Sequence, residues 1–428
     1  MSAELDGAVD DLGSKALGLV LLHRLGLRVP PAFAVTAEAC RALLGDGRLP
    51  DGLHTELALG VAGLERATGR VLGGPGRPLA VSVRSGAGVS MPGMMDTVLG
   101  LGLTTAATAG LAAETGDEEF ARDSRDRFLA SFAAAVPGEV PDDASAQLTR
   151  AVEAVFASWE TPRARTYRTL HAIPHGLGTA VVVQAMVFGN RDRGSGTGVA
   201  FSRDPNTGED SPYGEVLFRA QGDDVVSGAK ATRPLRELAD HDAELWAELG
   251  AALRRVEAHY RDACYLEFTF QSGELWLLQV KPARFSGAAA VRTAVELAEA
   301  GAVDRREALR RVAPRDLVRV PRLGSPRTVV ARGTGACPGV AVGRVVTSAE
   351  AAVREAREGR PVVLVRPETS PADLAGLAAA VGIVTERGGP ASHAAVVARA
   401  LRKPAVVGVG GLALAEGTLV TVDGTSGE

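Results

Sequence analysis

The chain has 428 residues, 46% of them hydrophobic and 23% charged, with a formal net charge of −4. That length exceeds a single compact core and predicts two or three domains. No basic field is available for nucleic acid, and no apolar run approaches the roughly 20 residues of a membrane span, so neither nucleic acid nor membrane is an expected partner. The opening "MSAELDGAVDDLGSK" lacks the basic-then-apolar order of a signal peptide. Cys40, Cys264 and Cys337 are scattered, odd in number and not at metal spacing, and read as free thiols of a reducing cytosol. The expected address is the cytoplasm.

"SKALGLVLLHRLGL" reads as a helix, ending before the extended "RVPPAFAV". "PLAVSVRSGAGVSMPGMMD" starts as a buried strand and becomes a Gly-, Ser- and Met-rich loop. Residues 116–170 look helical. "GTAVVVQAMVFGN" and "TGVAFSRDP" form a strand–loop–strand unit with "RDRGSGTG" at its tip. "YGEVLFRAQGDDVV" adds a strand and a polar turn, followed by the helix "DAELWAELGAALRRVEAHYRDA". The hairpin "CYLEFTFQSGELWLLQVKP" turns at Ser272-Gly273. The Pro-, Gly- and Arg-rich stretch 319–340 is the best linker. Beyond it, "RPVVLVR", "SPADLAGLAAA", "VGIVTE", "SHAAVVARAL", "PAVVGV" and "TLVTVDG" predict a compact α/β unit.

Within that last unit "GGPASHAAVVAR" puts one histidine, His393, at the foot of a short helix capped by Ser392. The orphan N–H groups and positive dipole end there favour an anion, which suits a phosphate carried on an imidazole nitrogen. Packing or capping is the plainer alternative. The loop "GSGTGVAF" could close backbone N–H groups on phosphates, or simply be a Gly-rich hairpin tip. Arg84 in "SVRSG" ends a buried strand, where its planar fork could hold phosphate oxygens or a structural ion pair. Glu267 and Gln279 lie on paired strands, with Lys281 on the same face as Gln279. Carboxylate and amide oxygens near a cation suit Mg²⁺ and a nucleotide, or are merely solvated. Met91, Met94 and Met95 read as core filling or an adaptable contact surface. Only four lysines (Lys15, Lys230, Lys281, Lys403) stand among the basic residues.

Taken together, "VPPAFAVTAEAC", "VSVRSGAGVSMPGMMDTVLGLGL", "AVEAVFASW", "PRARTYR", "GTAVVVQAMVFGN", "GSGTGVAFSRDPNTGE", "YGEVLFRAQGDDVVSG" and "ETSPADLAGLAAAVGIVTERGGPASHAAVVARAL" resemble the pyruvate phosphate dikinase family, in order along almost all of the chain. The resemblance implies an α/β and α+β multidomain protein: an ATP-grasp-like nucleotide-binding domain of two subdomains over 1–318, a linker over 319–335, and a swivelling β/β/α phosphohistidine domain over 336–428. It implies ATP as substrate and Mg²⁺ as cofactor. His393 matches the histidine that receives the β-phosphoryl of ATP as AMP leaves. Lys15 and Arg84 match phosphate-gripping residues, Gly194, Gly196, Thr197 and Gly198 the lid. Glu267 and Gln279 match the metal and nucleotide ligands, and Arg387 stands where it could neutralise the moving charge.

Several departures from the family pattern bear on function. The sequence stops at "VDGTSGE", without the barrel that handles pyruvate and phosphoenolpyruvate. The family's "Asp-x-Glu" reads "YLE", with Tyr265 in the aspartate's place, and the arginine expected two residues after Gln279 is Lys281. The threonine two residues before the family's histidine is Ala391, and a helical insertion within the nucleotide-binding domain is much shortened. The expectation is therefore a phosphotransferase that performs the ATP half-reaction. Its acceptor would be a small molecule or a separate barrel-type protein, and the resemblance leaves room for a homodimer. The alternatives are a nucleotide-binding module that no longer catalyses, or a fragment of a full-length dikinase.

Overall fold

The computed structural model describes residues 9–89, 91, 93–227, 232–285, 287–317, 328–390, 392–412 and 414–428. Lys230, Ala391 and positions 319–327 of the expected linker lie outside the described residues. Contacts divide the chain into two compact units, residues 1–187 with 276–279 and residues 188–275 with 280–428.

The first unit is built on a four-stranded antiparallel sheet, in the order Ala32–Val35, Ala180–Ala185, Val81–Gly86 and Thr97–Leu101. The apolar run "AVVVQA" is buried at every residue, as a central strand requires. Helix Val9–Arg24 lays Ala16 and Leu19 on Val182 of that strand. It is broken at Gly13 (φ 75, ψ 161). The cause is contact: a Cβ at Gly13 would stand 1.4 Å from the carbonyl oxygen of Gly86, so only glycine lets the helix start lie on the strand end. Ser14 then donates its backbone N–H to the Ala87 carbonyl at 3.1 Å. Three helices, Glu118–Ala135, Ala144–Ala157 and Pro162–Leu170, supply the expected helical run. Phe128, Phe132 and Phe156 from them fill the core, together with Met94.

A five-stranded sheet, of the second unit except for residues 276–279, runs in the order Glu274–Pro282, Cys264–Gln271, Gly196–Phe201, Tyr213–Phe218 and Arg233–Pro234. The hairpin turn at Ser272 (φ 52) and Gly273 (φ 82) has positive φ at both positions, the backbone that matches strand twist. The polar turn expected after Phe218 is a short helix, Gly222–Ser227, whose first turn holds Asp223 and Asp224 against the positive dipole end.

A six-stranded sheet follows, in the order Thr334–Cys337, Ala405–Val407, Gly382–Thr385, Val362–Arg366, Val340–Val346 and Leu419–Asp423. Its four central strands are parallel and its two edges antiparallel. Its first strand begins inside the segment expected to be a linker. Helix Ala349–Arg357, not anticipated from the sequence, is capped by the Ser348 hydroxyl, which accepts from the N–H of Ala351. The contact division falls at Val187, and residues 336–428 share a unit with 188–275. Side chains account for this: Asn206 donates to the Gly335 carbonyl at 3.3 Å, Arg402 lies 3.6 Å from Asp316, and Arg399 lies over Phe201.

The Gly13 contact yields a prediction. Gly13→Ala forces a Cβ into the Gly86 carbonyl at a positive φ, and should cost roughly 2–4 kcal/mol in urea unfolding. An unchanged midpoint would mean that the helix does not seat on the strand as described.

Candidate active site

His393 follows the carboxyl end of a parallel strand, Gly382–Thr385, and starts the helix that returns the chain to the neighbouring strand. Open α/β sheets leave their binding crevices at that end. Ser392 caps the helix, its hydroxyl accepting from the Ala395 N–H at 3.4 Å. The two glycines before it have separate causes. Gly388 takes φ +92, and a Cβ at Gly389 would fall 1.5 Å from a carboxylate oxygen of Glu215. The loop therefore passes directly over a buried carboxylate of the five-stranded sheet.

The imidazole of His393 is held on one side only. Its Nδ1 lies 3.0 Å from the hydroxyl of Thr369, a buried residue at the end of the adjacent parallel strand. Its Nε2 is buried without a hydrogen-bond partner among the described residues. Burial holds the imidazole pKa down, from 6.5 to about 4, against the opposing charge of Asp373. Asp373 itself accepts from the backbone and hydroxyl of Ser370 and lies 3.4 Å from Arg366. A neutral ring with one bonded nitrogen and one bare nitrogen is a poised nucleophile. Thr369, Asp373 and Glu215 were not singled out from the sequence. Thr369 stands 24 positions from the histidine, and only pairing of the strands brings them together.

The other expected site residues fall into separate groups. Lys15 donates to the Ser85 carbonyl at 2.7 Å, and Arg84 donates to the amide oxygen of Gln279 at 3.0 Å. Those three therefore meet at one strand end of the first unit. Gly196, Thr197 and Gly198 lie inside a strand rather than on a loop. Their small size has a packing cause: a Cβ on Gly196 would meet the Phe270 ring at 2.3 Å, and one on Gly198 the Phe268 ring at 2.7 Å. The Thr197 hydroxyl donates to the Phe268 carbonyl at 3.0 Å. The expected strand–loop–strand unit does not pair, its two strands lying in different sheets; Gly194 sits in the loop between them, its carbonyl accepting from Gly273 at 2.8 Å. There the Asp192 carboxylate accepts from the hydroxyls of Ser195 and Ser272. Arg387 lies 3.6 Å from Glu368, half exposed, and is not among the groups touching His393.

Glu267 and Lys281 belong to a buried cluster of the second unit. The hydroxyl of Tyr265 lies 3.4 Å from the Glu267 carboxylate, and the Lys281 ammonium stands 4.4 Å from the centre of the Tyr265 ring. Phe201 packs edge-on against Tyr265 at 5.0 Å and carries Arg399 on its other contact. Burial pushes the Tyr265 phenol well above its ordinary pKa, and the Glu267 charge adds to the shift.

Comparison with known proteins adds to this geometry. Residues 46–236 match the family described as pyruvate phosphate dikinase, AMP/ATP-binding domain, and residues 359–427 match the PEP-utilising enzyme, mobile domain. A pyruvate, phosphate dikinase of Rhizobium meliloti is 39% identical over 100% of this chain and 57% of its own length. Pyruvate, phosphate dikinase 2 of Zea mays is 42% identical over 97% of this chain and 55% of its own. The chain belongs to the pyruvate phosphate dikinase family. It spans a little over half the length of these curated relatives. Among the described residues no helix is long and apolar enough to cross a membrane.

Membership of the dikinase family makes Tyr265 and Lys281 informative. The two side chains expected to depart from the family pattern are in contact with each other and form one local arrangement. The family implies Mg²⁺, and the donor set can be tested against it. Mg²⁺ is commonly bound through one or two carboxylates with substrate phosphates completing the shell. Glu267 offers one carboxylate and Gln279 an amide oxygen, while no group of three or more His, Cys, Asp or Glu converges among the described residues. Gln279, whose amide oxygen accepts from Arg84, belongs to the first unit and Glu267 to the second, so the described residues of neither unit assemble a donor set for the ion by themselves.

Two measurements follow from this geometry. In the window from pH 6.5 down to about 4 the unfolded chain binds a proton at His393 and the folded chain does not, so stability falls as pH falls. The loss should approach roughly 3 kcal/mol relative to His393→Gln, and equal pH profiles for the two proteins would place the imidazole in water. For the aromatic cluster, a cycle of Tyr265→Leu and Lys281→Met should show a coupling of about 0.5–2 kcal/mol in unfolding. Additive effects would mean that the two side chains act independently.

Proposed function

We propose that this chain catalyses transfer of the β-phosphoryl of ATP to His393 with release of AMP, and hands the phosphoryl on to an acceptor outside the described fold. The observation that carries the reading is the bare Nε2 of a neutral, buried His393 whose other nitrogen is engaged by Thr369. With Nδ1–H donating to the Thr369 hydroxyl, the lone pair rests on Nε2. The Nε2–Pβ bond forms as the bond from Pβ to the oxygen it shares with the α-phosphorus breaks, AMP leaving with that electron pair; the γ-phosphoryl carried over with Pβ then passes to phosphate or water, so that one phosphoryl stays on the ring. The helix start and the Ser392 cap supply positive potential for the phosphorylated ring.

Lys15 and Arg84 would grip the triphosphate; Gly196, Thr197 and Gly198 lie in a strand paired on both sides, which leaves Gly194 and the loop before it as the part of the expected lid free to close on it. Glu267 and Gln279 would hold Mg²⁺, which when bound would neutralise charge on the phosphates. Arg387 would neutralise charge on the moving group, and its ion pair with Glu368 keeps it near the loop that carries His393. The acceptor would be a small molecule or a barrel-type protein. A cytoplasmic setting suits the three buried, unpaired cysteines. A nucleotide-sensing module without catalysis is the second reading, favoured by Tyr265 standing where the family carries a carboxylate.

The test is intact mass after incubation with Mg·ATP, with and without phosphate, read beside nucleotide products. One acid-labile phosphoryl group on the wild type, none on His393→Ala, and AMP formed is the expected result. ATP binding with no phosphoryl gain would sink the transfer reading in favour of the sensing module.

A further inference from the structure

We infer a second anion-binding site in this chain, a surface cleft of the second unit that takes a small molecule bearing two or more linked phosphates. The cleft, of about 790 Å³, is lined by Arg193, Arg219, Arg233 and Arg236, which is within the usual size of a small-molecule site. The arginines come from three segments: the loop before strand Gly196–Phe201, the end of strand Tyr213–Phe218, and the strand and turn leading into helix Glu237–His241. None of the lining residues belongs to the groups described above, and the inference does not depend on transfer to His393.

Three observations carry it. First, the charge is only partly compensated where it gathers, since Glu237 and Asp240 also line the cleft and leave the four arginines in excess. Arg233 lies 3.3 Å from Glu237, whereas Arg193, Arg219 and Arg236 have no ion-pair partner among the described residues. Clustered guanidiniums repel one another, and in a chain of net charge −4 four of them against the carboxylates of Glu237 and Asp240 leave a local cationic excess that a polyanion relieves. Their planar forks match phosphate oxygens bidentately.

Second, Arg219 is held at φ 52, a backbone region that costs a bulky residue and suits glycine or asparagine. Its N–H donates to Ser195 at 2.8 Å and the next N–H, of Ala220, to Gly189 at 3.0 Å. The strained residue is thereby tied to the loop that carries Arg193. Third, the cleft has an aromatic wall. The rings of Phe218 and His241 lie 4.3 Å apart, and Arg233 stands 6.0 Å from the Phe218 ring centre. Such a wall offers a face for a planar group attached to the phosphates.

The experiment is calorimetric titration of the full chain with sodium tripolyphosphate at low salt without divalent ions. The proteins compared are the wild type, a Lys15→Ala, Arg84→Ala variant, and an Arg219→Gly, Arg236→Ala variant. Glycine at 219 suits the backbone, so this last variant should fold, which circular dichroism would verify. A saturable site that survives loss of Lys15 and Arg84, and weakens about tenfold or more with loss of the two cleft arginines, is the expected result. Binding unchanged in the cleft variant, or abolished in the Lys15, Arg84 variant, would overturn the inference. Titration with ADP and with pyrophosphate then separates the sources of the shared chemistry. ADP binding tighter than pyrophosphate, with the difference lost in Phe218→Leu, marks a nucleotide; equal affinities mark an inorganic oligophosphate.

Discussion

The one-sided holding of His393 is the constraint on which the rest of the site depends. An imidazole buried in water-poor surroundings stays neutral because charging it would cost desolvation, and the same burial would leave both nitrogens unpaired without the Thr369 hydroxyl. With Nδ1 engaged and Nε2 bare, the ring can accept an electrophile in one direction only. That arrangement needs two neighbouring parallel strands in register, Val362–Arg366 beside Gly382–Thr385, because the loops after their carboxyl ends carry the threonine and the histidine respectively.

Close backbone approach recurs wherever this protein positions a functional group. Gly13 lets the first helix seat on the end of strand Val81–Gly86, which delivers Lys15 to the Ser85 carbonyl and beside Arg84. Gly389 lets the loop before His393 pass over the Glu215 carboxylate. Gly196 and Gly198 open room for the rings of Phe270 and Phe268. The same residue type therefore does two jobs here: bringing elements into contact around polar groups, and admitting large aromatic side chains into a sheet.

Electrostatics divides the molecule in a comparable way. Buried charges are compensated locally, as Arg203 is by Glu257 and Glu296, or rest on aromatic faces, as Lys281 does on Tyr265. The arginine cleft beside Phe218 is the contrast, with exposed guanidiniums and few acidic partners. Such a distribution keeps desolvation costs low inside and leaves strong local fields on the surface.

The family and most of its elements were legible in the residues. Apolar runs marked the strands, Ser392 marked the start of the helix that carries His393, and motif order along the chain marked the dikinase family. The hairpin turn at Ser272-Gly273 was readable because two residues must take positive φ there. What only the tertiary structure decided is which side chains meet. Thr369 reaches His393 because two strands pair in parallel, and Tyr265 meets Lys281 because adjacent strands of one hairpin present them to each other. The glycines of "GSGTG" read as a phosphate loop, yet Gly196 and Gly198 are needed by rings that arrive from a strand some 70 positions later. Local chemistry names the candidates along a sequence, but contact is a property of distant segments, set by register and by the space each Cβ would fill.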